Sequence, residues 1–307
     1  MSNSPPADKP GAVPEPERKA ITLRTLARMA ERNEPFACLA CYDATTARWL
    51  ERAGVHLLLA GDSAAQVVLG FDRSIDAPLD FLVTITAALK RGAPNTVVMA
   101  DMPFLSYHAS SEQAMTNAGR FMTEGKADIV KLEADHTFAG LVDRMTRAGI
   151  PVCAHVGFRP QTTGLKGVPT AAGRTEAELK AIVDDAVALE EAGAVMLLVE
   201  AVPPEVTRAI LGKTSVPLIG IGAGPDAHGQ ILVVNDLLGL TDRPPRFADP
   251  VAAVGPDIQR AGAEWVKRVA GRSIGGQTYT MRTESAAESK AGHPKQQDPR
   301  NLHAADS

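Results

Sequence analysis

The chain has 307 residues, 45% of them hydrophobic and 22% charged, with a formal net charge of -4. That balance is ordinary for a globular protein, leaves no basic footprint for nucleic acid, and offers no apolar run near the roughly 20 residues that span a bilayer. The opening stretch MSNSPPADKPGAVPEPERK lacks the apolar core of a secretory signal, so the expectation is a cytoplasmic protein acting on a small molecule, with no nucleic acid and no membrane.

In chain order, residues 1–20 are rich in proline and charge and are expected to form a disordered arm. ITLRTLARMAER (Ile21–Arg32) sets Leu23, Leu26 and Ala27 on one side and predicts a helix capping the bottom of the domain. Apolar strand segments follow: FACLACY, VHLLLAG, TVVMA, DIVKLEA, PVCAHVG, VMLLVEA and VPLIGIG. Helical patterns lie between them, such as EAELKAIVDDAVALEEAGA, with apolar positions at i, i+3, i+4 and i+7. An eighth strand is expected near Arg246–Ala248, and the ambiguous run QILVVNDLLGL is read as helix on its length. Strands alternating with helices imply a helix-covered parallel sheet, and the count suits a single (β/α)8 TIM barrel over residues 21–271. An open doubly wound sheet is the second choice, weakened by the lack of a dinucleotide fingerprint after the first strand. Residues 272–307 are polar, with few large aliphatics, and predict a disordered tail.

Cys38 and Cys41 form a C-x-x-C, but within a strand residues three apart face opposite sides. A disulfide or shared metal does not suit that geometry, and no second pair exists. Buried structural thiols are expected, Cys153 included.

The ionisable residues carry the functional signal. The first strand ends in Asp43, the second in Asp62-Ser63 and the third in Asp101; the fourth carries Lys131 and Glu133, the fifth His155, the sixth Glu200. In a barrel these C-terminal strand ends converge on one mouth, where the chemistry is found. A single strand-end Asp is more often a cap or a turn; six such strands predict an active site. Asp62, Asp101 and Glu133 come from consecutive strands about 4.8 Å apart, where they repel unless a cation sits among them. An oxygen-only donor set suits Mg²⁺; separate caps and salt bridges are the bland alternative. Lys131 shares a face with Glu133 and, beside several acids, should stay protonated and hold a substrate oxygen rather than form a Schiff base. Glu200 follows a fully apolar strand, where desolvation raises its pKa toward general-base duty; a structural carboxylate is the alternative. His155 is either a hydrogen-bond donor to substrate or a satisfied core histidine. GIGAGPDAHGQ reads as a phosphate cradle or as small residues packing backbone at the rim. TTGLKGVPTAAGRTE is long for a connecting loop and is a candidate lid.

Taken together, AGDS with VVLGFD, KRGAPNTVVMADMPF, VKLEA, PVCAHVGFRPQ, LLVEAVP and GIGAGPDAHGQILVVNDLLGL resemble the ketopantoate (3-methyl-2-oxobutanoate) hydroxymethyltransferase family, from about residue 21 to 270. The resemblance implies a barrel of the phosphoenolpyruvate mutase type, a homo-oligomer that is usually a decamer, Mg²⁺, and 5,10-methylenetetrahydrofolate as co-substrate. It implies metal binding by Asp62, Asp101 and, through water, Glu133, substrate contacts from Ser63, Asp101, Lys131 and His155, and proton abstraction by Glu200. The chain departs from the family's pattern at Ala64-Ala65 (Leu-Gly), the RSIDAPLD segment, Ile85 (His), His228 (Asp), Asn235 (His) and LKGVPTAAGR, which puts the choice of 2-oxo acid and one-carbon donor in question. The rivals are a divergent paralogue, a C–C lyase of the same barrel type, a Schiff-base aldolase using Lys131, and a non-catalytic barrel.

Overall fold

A computed structural model describes residues 18–162 and 171–281. The expected disordered segments fall mostly on residues 1–17 and 282–307, and the candidate lid mostly on 163–170, all outside the described residues. Two compact units are distinguished, Met1–Gly255 and Pro256–Ser307.

The first unit begins with α1 (Leu23–Glu31), started by Thr22, whose hydroxyl accepts from the Thr25 N–H while the Thr25 hydroxyl caps the Thr22 N–H. Leu26 and Ala30 are its buried face, and Ile21 N–H donates to Asn95 O (2.8 Å), at the entry to the third strand. That places the helix at the N-terminal end of the strands, as its apolar side predicts.

The strands are β1 (Phe36–Ala40), β2 (Leu57–Ala60), β3 (Val97–Asp101), β4 (Ile129–Glu133), β5 (Val152–Gly157), β6 (Met196–Glu200), β7 (Leu218–Ile221) and β8 (Gly229–Val233). They pair in parallel, in sequence order, and β8 closes onto β1 as a barrel. Between them run α2 (Ala44–Arg52), α3 (Ala64–Val67), α4 (Leu79–Gly92), α5 (Ser111–Thr123), α6 (Ala139–Arg147), α7 (Glu176–Glu191) and α8 (Pro204–Leu211), and α9 (Val234–Leu237) follows β8. β2, β3 and β4 are buried at every position because side chains inside the barrel and helices outside cover both faces.

One expectation is corrected. The eighth strand lies within the run read as helix, at Gly229–Val233, and Arg246–Ala248 is irregular. β8 pairs with β1 along all five residues, so barrel closure overrides the helical length of the run, which survives only as the single turn of α9.

α10 (Val254–Ala270) starts at the boundary between the units and has no buried residue. Its Ile258, Trp265 and Val269 are exposed. Among the described residues no helix is long and apolar enough to cross a membrane.

Candidate active site

Strand register assembles the site. Asp101 pairs with Lys131 across β3–β4, and Glu133 with His155 across β4–β5. Asp62 lies two residues past β2, and Glu200 ends β6. All of the expected residues—Asp62, Ser63, Asp101, Lys131, Glu133, His155 and Glu200—line one cavity of about 820 Å³ at the C-terminal ends of the strands. Asp43 does other work: its carboxylate caps α2, accepting from the Thr45 and Thr46 N–H groups.

A chain of polar contacts crosses the mouth. Lys131 Nζ lies 2.6 Å from Asp101 Oδ1 and 3.3 Å from His155 Nδ1, and His155 Nε2 lies 3.4 Å from Glu200 Oε2. The Asp62 N–H donates to Asp101 Oδ2 (3.3 Å). A protonated lysine only donates, so His155 Nδ1 must accept and the imidazole proton sits on Nε2, facing Glu200. Neither that nitrogen nor Asp101 Oδ1 has an aligned hydrogen-bond partner.

A second network was not legible beforehand. Gln161, in the turn after β5, donates from Nε2 to Asp62 Oδ2 (3.0 Å) and to Met102 O (3.1 Å), and accepts from Tyr107 Oη at Oε1 (2.7 Å). Its main-chain N–H meets both oxygens of Glu133 (3.2 and 3.0 Å). Tyr107 Oη also accepts from the Glu133 N–H (3.2 Å). On the other side, Tyr42 Oη and Ser63 Oγ share a hydrogen bond of 2.8 Å. Only the Arg-Pro-Gln sequence after β5 hinted at Gln161; nothing marked the tyrosines.

Three buried acids and the half-buried Glu200 face one ammonium, and the electrostatics follow. Burial, then the Asp101 charge, push Asp62 up to about 7. Burial pushes Glu200 up to about 8, with Lys131 opposing, and burial raises Glu133 too. Burial works against the charge of Lys131, but Asp101, Asp62 and Glu133 outweigh it and hold the ammonium above the ordinary lysine range. Burial and the Lys131 charge depress His155, which keeps it neutral.

This donor set fits a hard divalent cation. The acids outnumber the cation beside them, and Asp101 Oδ1 retains acceptor capacity. Asp62 and Asp101 are the direct candidates, since both Glu133 oxygens face the Gln161 N–H. Among the described residues no three His, Cys, Asp or Glu side chains form a ready metal cluster; Mg²⁺ takes one or two carboxylates and fills its octahedron with water and substrate.

The remaining motifs resolve more simply. Cys38, Cys41 and Cys153 are free and buried, and burial raises Cys41 to about 11 and Cys153 to about 12. The glycines of GIGAGP pack the rim. A Cβ on Gly222 would lie 2.6 Å from Phe247 Cδ1, and one on Gly224 would lie 2.8 Å from Pro204 Cγ. Among the departures, Ala64 and Ala65 are fully buried, Ile85 is buried in α4, and His228 Nδ1 accepts from the Leu218 N–H (3.1 Å). Asp236, beside Asn235, is buried and lines the cavity.

Comparison with known proteins agrees with this geometry. Residues 20–276 match the family model for ketopantoate hydroxymethyltransferase. The 3-methyl-2-oxobutanoate hydroxymethyltransferase of Shouchella clausii is 41% identical over 263 residues, covering 85% of this chain and 94% of that protein. The enzyme of that name from Bacillus subtilis is 39% identical, covering 83% and 92%. In fold, the phosphoenolpyruvate phosphomutase of Streptomyces platensis superposes with a TM-score of 0.58 at 13% identity, covering 82% of this chain and 89% of that one. This chain belongs to the ketopantoate hydroxymethyltransferase family.

Proposed function

We propose that the protein transfers a hydroxymethyl group from 5,10-methylenetetrahydrofolate to 3-methyl-2-oxobutanoate, giving 2-dehydropantoate for pantothenate biosynthesis. The observation that carries this reading is the placement of Glu200 in one cavity with Asp62, Asp101 and Lys131, joined to Lys131 through His155. It sets a desolvated base against a site for a 2-oxo acid.

In this reading Asp62 and Asp101 hold Mg²⁺, with Glu133 acting through water. When bound, Mg²⁺ supplies Lewis-acid polarisation of the ketone and carboxylate of the 2-oxo acid. Lys131, kept charged by its acidic neighbours, and Ser63, oriented by Tyr42, bind the substrate's oxygens. Glu200 accepts the C3 proton, and the C–H electron pair stays with the substrate. His155 contacts substrate and turns its Nε2 proton toward Glu200. The C3 carbon then bonds to the donor's methylene carbon as one C–N bond of the donor breaks; water replaces the second C–N bond and supplies the hydroxyl, and the C3 proton and one proton of that water end on the two donor nitrogens. Asp101 is thus both metal ligand and partner of the substrate-binding lysine.

The catalytic unit is read as the barrel of β1–β8, acting in the cytoplasm as a homo-oligomer, a decamer by family resemblance. The exposed apolar side chains Ile258, Trp265 and Val269 of α10, spaced seven and four apart on one helix face, support self-association. A Schiff-base aldolase fits less well, because Lys131 is held protonated.

Mass spectrometry tests the function. With Mg²⁺ and both substrates the protein should form 2-dehydropantoate, and omission of either substrate should abolish it. Product formation with another one-carbon donor, or from another 2-oxo acid alone, would contradict the proposal.

A further inference from the structure

The cavity is much larger than a five-carbon acid requires, and its charge is unevenly divided. At about 820 Å³ it lies in the range of sites for cofactor-sized molecules. The strand ends supply Asp62, Asp101, Glu133 and Glu200. Among the described residues, its lysine and arginine lining is Lys131, Arg243 and Arg246. Lys131 is committed to Asp101 at 2.6 Å. Arg243 and Arg246 are exposed and make no ion pair or hydrogen bond with any described residue. They are therefore the uncommitted cations of the mouth among the described residues.

The segment that carries them is held in place. Phe247 rests its ring on Gly222, where the backbone has φ of +57° and a Cβ would collide with the ring. Ala248 N–H closes a turn onto Pro245 O (2.9 Å), and Val251 N–H returns to Leu237 O (2.9 Å). Pro245 and Phe247 line the same cavity. Two arginines three residues apart thus sit on a seated rim above an acidic floor.

We infer that Arg243 and Arg246 form the subsite for the carboxylates of the one-carbon donor's glutamyl tail, an inference that rests on the donor assigned above. The carboxylate of the 2-oxo acid is already met by Lys131 and the metal. The glutamyl group brings two further carboxylates, which the acidic floor repels. Among the described lining residues, the rim offers the free guanidinium groups, whose planar fork pairs with carboxylates through two parallel hydrogen bonds. The tail lies along the rim and the methylene carbon points down to C3 of the acid.

The test compares 5,10-methylenetetrahydrofolate with the benzamide of 5,10-methylenetetrahydropteroate, which lacks the glutamyl group and carries no carboxylate, in the wild type and in an Arg243→Gln/Arg246→Gln variant. The wild type should prefer the glutamylated donor by about tenfold in kcat/KM, mostly through KM, as befits charge-assisted bonds at a solvated rim. The variant should show a ratio near one, with kinetics on the benzamide and urea midpoint unchanged. Added salt should shrink the wild-type preference but not the variant's ratio. A preference that survives in the variant, or an equal loss with both donors, would overturn the subsite alone. If the wild type uses neither donor yet exchanges the C3 proton of the acid, the donor assignment falls, and the subsite with it.

Discussion

Gln161 and Asp62 meet at 3.0 Å, amide Nε2 to carboxylate Oδ2, while the same residue's N–H holds both oxygens of Glu133. One residue in a turn, by its side chain and its main chain, thereby ties the acid after β2 to the acid at the end of β4. Tyr107 Oη, donating to Oε1, fixes which end of the amide faces Asp62.

Gln161→Leu should strip Asp62 of that donor and leave Tyr107 Oη with one partner fewer. A buried polar group so abandoned costs about 1–3 kcal/mol of stability, readable in urea. Residues that orient a ligand typically contribute about 10- to 100-fold in metal affinity. Titration of Mg²⁺ by calorimetry should show that loss, and unchanged affinity would demote Gln161 to a packing residue.

Lys131 is the positive centre of a buried acidic cluster, and its ion pair with Asp101 is nearly inaccessible to solvent. Lys131→Met should destabilise the protein by about 3–5 kcal/mol, the usual cost of removing one partner of a buried pair. Borohydride with 3-methyl-2-oxobutanoate should leave no mass adduct on the wild-type protein. A reduced adduct on Lys131 would favour the aldolase chemistry instead.

Chelation should abolish turnover and added Mg²⁺ should restore it. Asp101→Asn keeps the shape but removes a charge from the site, so it should weaken metal-dependent binding of the 2-oxo acid by at least tenfold, with circular dichroism unchanged. Full activity in EDTA would refute the metal's role.

Much of this was legible in the sequence, for a physical reason. Parallel strands covered on both faces are apolar throughout, so Asp62, Asp101 and Glu200 stand out where each run ends, and barrel topology gathers such ends. β8 was misread because QILVVNDLLGL carries strand and helix signals at once, and only pairing with β1 decides between them. Gln161 and Tyr107 stayed hidden because their importance lies in contacts 54 residues apart along the chain. The rim glycines were ambiguous until Phe247 was seen lying on Gly222.

A pH effect should appear away from the site. His136 Nδ1 lies 2.7 Å from Asp185 Oδ1, and that hydrogen bond and charge raise the imidazole above its ordinary value. A raised pKa in the folded state means full stabilisation below the unfolded value of about 6.5, lost as pH rises through the folded value. His136→Asn should therefore lower the urea midpoint at pH below the unfolded value and match the wild type once the pH has risen past the folded value. A constant difference across that window would show that the charge plays no part.

The central claim is that Glu200 takes the C3 proton while the metal and Lys131 hold the acid. Exchange of that proton in D₂O, followed by NMR on 3-methyl-2-oxobutanoate with Mg²⁺ and no folate, isolates the step. Glu200→Gln preserves shape but accepts no proton, so exchange should fall by about 10² to 10⁴, the usual contribution of a general base, while affinity for the acid changes little. Undiminished exchange in Glu200→Gln would contradict the assignment, and no exchange in the wild type would point to a different substrate.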